Sequence, residues 1–251
     1  MGIIQTIKNI FKRSNYVMTN QSLNSITDHP KIAISPEEYN RIMDNLRYFA
    51  GAFDRATYRD SNGAQVKRDF NHLPVGRTAS KKVASLVFNE QATIQVDNEV
   101  ADEFINETLK TDRFSKNFER YLESCLALGG LAMRPYIDKD KVRISFVQAP
   151  VFLPLQSNTQ DISSAAIVTK TIKAEGKKQK YYTLIELHEW KKDGHYTITN
   201  ELYKSDDQKI VGSRVPLSEI YEDLEETVEV KNLSRPLFTY LKPSGMNNKD
   251  I

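Results

Sequence analysis

The sequence predicts an α+β protein: a helical N-terminal half followed by antiparallel β hairpins and a meander. Three observations predict it. Apolar residues recur every three or four positions in several stretches up to residue 128. Beyond Gly130 the period drops to two. The pairs Glu175-Gly176 and Asp193-Gly194 then cut the second half into runs of strand length.

Residues 3–13 place Ile3, Ile4, Ile7, Ile10 and Phe11 on one helical face, with Lys8, Lys12 and Arg13 elsewhere. A helix of about 11 residues is marginal alone in water. It is therefore expected to dock on its own domain or on a neighbouring copy, with a membrane-surface helix as the alternative. Residues 14–25, rich in Ser, Asn and Thr, read as a flexible connector. Ser35, Pro36 and Glu38 spell a capping box with proline at the first helical position. The face Tyr39, Ile42, Met43, Leu46 and Phe49 follows, and Gly51 ends the helix. Asp60-Ser61-Asn62-Gly63 marks the turn of a short hairpin.

A helix near 77–89 should turn Val83, Ala84, Val87 and Phe88 inward, and 92–96 alternates like a strand. Asp97 or Asn98 can cap the next helix, which carries Val100, Phe104, Ile105 and Leu109. The clearest helix holds Phe114, Phe118, Tyr121, Leu122, Cys125 and Leu126, stopped by Gly129-Gly130. Strands are then expected over 131–137 and 141–147 as a hairpin, and over 163–173, 180–190 and 195–204 as a meander. A short acidic helix at 217–224 and strands at 226–230 and 236–242 complete the reading.

Three segments result: 1–25, the amphipathic helix and connector; 26–130, mainly helical; and 131–251, β-rich. The loop Pro243-Ser244-Gly245-Met246-Asn247-Asn248 precedes the last residues without a closing element, which is expected to mark a cut at a domain boundary.

The formal net charge of +2 argues against capture of nucleic acid by the chain as a whole. Charge is nonetheless clustered. Lys170, Lys173, Lys177, Lys178 and Lys180 face only Glu175 in 170–180, and Glu219, Glu222, Asp223, Glu225, Glu226 and Glu229 have no base among them. Such clusters read as solvated faces or, more sharply, as complementary patches between copies. The apolar content is lean against the usual share of about 45–50%, as suits elements that pack partly on neighbours.

One cysteine, Cys125, excludes an intrachain disulfide and falls on a helix's apolar stripe, where it serves as a small core residue. No apolar run reaches the ~20 residues of a membrane span, and residues 1–13 lack a signal peptide's apolar region and cleavage site. The expectation is a soluble protein made in the cytoplasm, without a membrane partner.

Chemistry is hard to find. Nucleotide, Walker-type, zincin and nucleophile-elbow motifs are absent. The histidines His29, His72, His188 and His195 are scattered; His188 and His195 could face each other across the Asp193-Gly194 turn and hold a metal, though a partly exposed strand histidine is the plainer reading. Acidic pairs such as Glu222-Asp223 and Glu225-Glu226 look like exposed helix ends rather than carboxylates tuned by an apolar pocket. No catalytic, cofactor-binding or metal-binding residue is assigned, and no cofactor is expected.

Several stretches, taken in order, go further. Met1 to Phe11, Ser25 to Ile42, Lys82 to Glu90 with Thr93-Ile94-Gln95-Val96, and above all Ala127-Leu128-Gly129-Gly130-Leu131-Ala132-Met133-Arg134-Pro135-Tyr136-Ile137-Asp138 carry a likeness. It continues into Val142 to Val147 and Phe152-Leu153-Pro154. The chain resembles the portal proteins, often labelled minor capsid proteins, of siphophages that infect Gram-positive bacteria. Residues 70–80 follow that family loosely, and Ala149-Pro150 stands where an Asp is common.

The resemblance implies a structural subunit, not an enzyme, in a ring of about twelve copies at the capsid vertex. Implied partners are the chain itself, a terminase motor, major capsid and scaffold proteins, a head–tail connector, and double-stranded DNA passing non-specifically through the channel. This chain would form the wing, before the stem and clip. Two surface expectations follow: that Ile3, Ile4, Ile7, Ile10 and Phe11 lie against a neighbouring subunit, and that the 170–180 lysines face capsid protein or DNA. The rivals are another minor capsid or scaffold-associated head protein, and a phage nuclease or protease.

Overall fold

A computed structural model describes residues 22–69, 72–88, 93–138, 141–157, 162–176 and 178–243. In chain order the first half holds β1 (Ser22–Leu23), a 3-10 turn (Ile26–Asp28), α1 (Pro36–Phe49), β2 (Ala56–Arg59), β3 (Gln65–Arg68), α2 (Val75–Phe88), α3 (Glu99–Thr111) and α4 (Phe114–Leu128). The second half holds β4 (Leu131–Asp138), β5 (Lys141–Gln148), β6 (Phe152–Ser157), β7 (Ile162–Glu175), β8 (Lys178–Trp190), β9 (Tyr196–Ser205), β10 (Gly212–Val215), β11 (Thr227–Val230) and β12 (Thr239–Leu241). The fold is α+β. The predicted helix at 3–13 and residues 14–21 of the connector lie outside the described residues.

The capping signals act as written. Ser35 Oγ accepts from the Glu38 N–H at 3.2 Å while the Glu38 carboxylate accepts from the Ser35 N–H at 3.3 Å. Asn98 caps α3 by accepting from the Ala101 N–H at 3.0 Å, and Gly129, at φ 90, closes α4 in a conformation that suits glycine. Cys125 is fully buried on α4.

Elsewhere tertiary context overrides the local pattern. The end of the predicted connector is structured: Ser22 and Leu23 pair with Ser213 and Gly212 of β10, and Leu23 is buried. No strand forms at 93–96; the Val96 N–H instead donates to Asp102 Oδ1 at 2.9 Å, so this backbone buttresses α3. On α2 only Ala84 is buried, while Val83 and Val87 face solvent, because α4 covers a single narrow stripe of it. Met43 of α1, and Val100 and Phe104 of α3, are likewise exposed. The predicted acidic helix at 217–224 shrinks to one 3-10 turn, Leu217–Glu219. Its apolar residues Leu217, Ile220, Tyr221 and Leu224 have helical spacing, but they lie across a sheet and cover Tyr182, Leu184 and Leu202.

The large sheet runs β1-β10-β9-β8-β7-β6, with β11 sharing the outer edge of β9 with β10. Its β7-β8-β9 part is the expected meander, in register from Glu175↔Lys178 through Ile185↔Glu201. A second sheet, β12-β4-β5, contains the expected 131–147 hairpin, and β2-β3 form the expected separate hairpin. Strand alternation splits the large sheet's side chains. Ala166, Val168, Ile185, Leu187 and Tyr203 form one face with Leu23, Ile42 and Leu128, so α1 and α4 share a core with the meander. On the opposite face, Ala165 and Ile167 meet Ala132, Val147, Phe152 and Phe238, which joins the two sheets. Phe146 of β5 stacks on Tyr121 of α4 at 4.9 Å and sits beside Phe114 and Phe118.

Candidate functional site

Residues 170–176 and 178–180 form the end of the β7–β8 arm, where Lys170 pairs with Thr183, Lys173 with Lys180, and Glu175 with Lys178. Lys170, Lys173 and Lys178 are exposed. Lys180 is bound by Asp206, and that hydrogen bond keeps the Asp206 carboxyl below the usual carboxylate range. Lys177 lies outside the described residues.

The acidic run reaches this arm within the same chain. The Lys173 ammonium donates to the Glu219 carbonyl at 3.3 Å. Lys204 donates to Glu175 at 3.0 Å and to Glu219 at 3.1 Å, while the Tyr182 hydroxyl lies 2.9 Å from Glu175 and 3.0 Å from Glu219 and donates its single proton to one of them at a time. The Lys204 hydrogen bond, seconded by Tyr182, lowers the Glu175 carboxyl. The basic cluster thus meets the acidic run only through Lys173 and the Glu219 backbone carbonyl, and the Glu219 carboxylate is taken by Lys204 from outside the cluster. Arg214 takes up Glu226 at 3.0 Å. Glu222, Asp223, Glu225 and Glu229 remain exposed and have no ion pair among the described residues.

His29 and His188 are buried and bound into the fold, and His72 stacks on Phe53. His188 is 3% exposed, so the partly exposed strand histidine expected there is overturned. It stands opposite Ile198, and His195 is exposed beyond the strand, so the two do not face each other. Among the described residues no group of three His, Cys, Asp or Glu can hold a metal. His188 accepts from Arg134 Nη1 at 3.3 Å through Nε2; Nδ1 therefore carries the proton and donates to the Tyr196 hydroxyl at 2.8 Å. Arg134 makes a bidentate pair with Glu186, both contacts at 3.0 Å. Burial first, and the Arg134 charge second, push the His188 imidazolium down to about 3.

Across the sheet, the Glu201 carboxylate accepts from His29 Nε2 at 3.1 Å and from Tyr203 at 2.7 Å, with Arg214 at 3.4 Å. Burial works to raise this carboxyl, but the two hydrogen bonds and the Arg214 charge outweigh it and hold it at about 2. Sequence reasoning missed both clusters. Its one usable signal was parity: Glu186 and His188 alternate with Ile185 and Leu187 in a strand apolar on both faces.

A groove of about 890 Å³ opens between the end of α2, residues 93–94, α3 and α4, and Phe88, Ile94, Leu109, Phe118 and Met133 are among the residues that line it. Ile3, Ile4, Ile7, Ile10 and Phe11 lie outside the described residues. Among the described residues no helix is long and apolar enough to cross a membrane.

A family model described as phage portal protein, SPP1 Gp6-like, matches residues 28–248 of the chain. No curated protein matches it.

Proposed function

The chain belongs to the phage portal protein family, SPP1 Gp6-like, and from that premise we propose that it is a subunit of the portal ring at the head–tail vertex, through which DNA is packaged and ejected. One observation carries the reading: the family match spans the helical layer and both sheets. The described elements are proposed to form the wing of such a subunit. The work is mechanical. Two strongly shifted groups, His188 and Glu201, are bound into contacts that tie strands together rather than opened towards a substrate.

A ring needs a heterologous interface, in which one surface of each copy meets a different surface of the next. The stripe Ile3, Ile4, Ile7, Ile10 and Phe11 is proposed to contribute by packing on a neighbouring subunit. The remaining partners are a terminase motor, capsid and scaffold proteins, and a head–tail connector in the virion, with assembly in the host cytoplasm. Negative-stain microscopy of the gene product tests the reading. Rings with a central hole are expected, and deletion of residues 1–13 is expected to reduce them strongly. A product that stays monomeric at high concentration overturns the portal reading; intact rings after the deletion overturn only the role of the arm.

The exposed lysines Lys170, Lys173 and Lys178 are proposed to face capsid protein or packaged DNA, together with Lys177 and Lys180 of the same sequence cluster. Contacts with DNA would go to phosphates and weaken with salt, without base readout. The triple change Lys170→Glu, Lys173→Glu and Lys178→Glu should lower the yield of DNA-filled heads; full packaging by that variant removes the proposal.

A further inference from the structure

The β2–β3 hairpin stands apart. Its base is held: Arg55 pairs with Asp69 at 2.7 Å, Phe53 stacks on His72 at 4.1 Å, and Arg47 binds Asp54 at 3.1 Å. Beyond that base both strand faces are mostly exposed, and no other element packs on them extensively. Four-residue strands and a turn project roughly 15 Å. An isolated two-stranded hairpin is marginal in water, so one with open faces suits a surface that is completed by a partner.

Its charge tells what kind. The register pairs Thr57 with Lys67 and Arg59 with Gln65, which puts Arg59 and Lys67 on one polar face; Arg68 sits on the other beside Tyr58. Arg59, Lys67 and Arg68 are exposed and have no ion pair among the described residues, because the nearby Asp54 and Asp69 are taken by Arg47 and Arg55 and Asp60 accepts from the turn's own N–H groups. The same chain carries an equal and opposite deficit. In the segment leading into β11, Glu222, Asp223 and Glu225 are exposed and unpaired, whereas Glu219 and Glu226 are taken. No ion pair joins hairpin and acidic segment within the described chain.

Resting on the portal reading above, we infer that the cationic β2–β3 hairpin of one copy docks on the Glu222–Glu225 segment of the next. Two different surfaces of one chain make a heterologous contact, the kind that closes a ring. Each exposed pair shifts an equilibrium by no more than about fivefold, so the contact mainly sets orientation and register between copies, while apolar surfaces supply affinity.

A charge swap on the full gene product tests this. The variant Arg59→Glu, Lys67→Glu, Arg68→Glu should form rings roughly tenfold less well in about 0.1 M salt, with an unchanged melting temperature because all three side chains are exposed. The variant Glu222→Lys, Asp223→Lys, Glu225→Lys should do the same. Both sets combined in one chain should restore the rings, since every neighbour contact again joins opposite charges. Rings untouched by either reversal, or a combined variant that stays broken, overturn the inference while leaving the portal reading in place. So does a hairpin reversal that spares rings and lowers only DNA retention, which would assign the hairpin to nucleic acid. Wild-type protein without rings overturns the portal reading itself.

Discussion

Replacing Gly212 by alanine is expected to destabilise the protein by about 3 kcal/mol or more. Gly212 has φ 93, a conformation that side chains rarely adopt. A Cβ there would also lie 2.6 Å from the Lys204 carbonyl carbon, inside a backbone group that cannot rotate away. The consequence extends beyond one residue. Gly212 opens β10, pairs with Leu23 of β1, and follows buried Val211, so relieving the clash pulls an edge off the large sheet and uncovers the core beneath Leu23. Denaturant unfolding should show a lower midpoint with an unchanged slope. Gly176 is the control. Its φ is also positive, at 63, but nothing lies within 4 Å of an added Cβ, so Gly176→Ala should cost only about 1 kcal/mol. Equal losses at the two positions would show that backbone conformation alone, not the approach of β9, sets the cost.

The second large effect is on acid stability. The folded protein holds His188 at about 3 against an ordinary 6.5. Between those values the unfolded chain binds a proton that the folded chain refuses, so stability is complete above pH 6.5 and declines as pH falls towards 3. The limiting slope is roughly 1 kcal/mol per pH unit. Glu201 adds to it lower down: its carboxyl is held at about 2 against 4.5, so its contribution is present above pH 4.5 and is lost as pH falls through 2. The free energy of unfolding should therefore begin to drop near pH 6.5 and drop faster below 4.5. His188→Gln removes the first titration. That variant should be less stable at pH 7.5, since it disturbs the contacts to Tyr196 and Arg134, yet it should lose less on going from pH 6.5 to 5. Parallel stability curves for the two proteins would refute this role for His188.

Arg134 shows why such a seam was invisible in one dimension. It stands in Met133-Arg134-Pro135, a stretch that marks the family resemblance and identifies a strand, but nothing local says that its guanidinium crosses between sheets to Glu186 and His188, more than fifty positions away. The same distance problem governs the surfaces. The lysines of 170–180 and the acids from Glu219 onward were both legible as clusters; that Lys173 would reach the Glu219 carbonyl, and that Lys204 would tie the Glu219 carboxylate to Glu175, depends on the register of β8 with β9 and on where one 3-10 turn comes to rest.

The sequence by itself determined the class and the order of the elements. Capping boxes, glycine stops, turn pairs and the change of period act over a few residues, and the forces behind them are complete within that range. It also carried the family resemblance, now matched over residues 28–248. Tertiary structure alone decided which apolar faces are covered. α2 and α3 keep open the valines and phenylalanine that their patterns would bury, and 93–96 gives its backbone to a helix cap instead of a ladder. Burial depends on which neighbour arrives, and a pattern along the chain specifies that a face is apolar without specifying what will cover it.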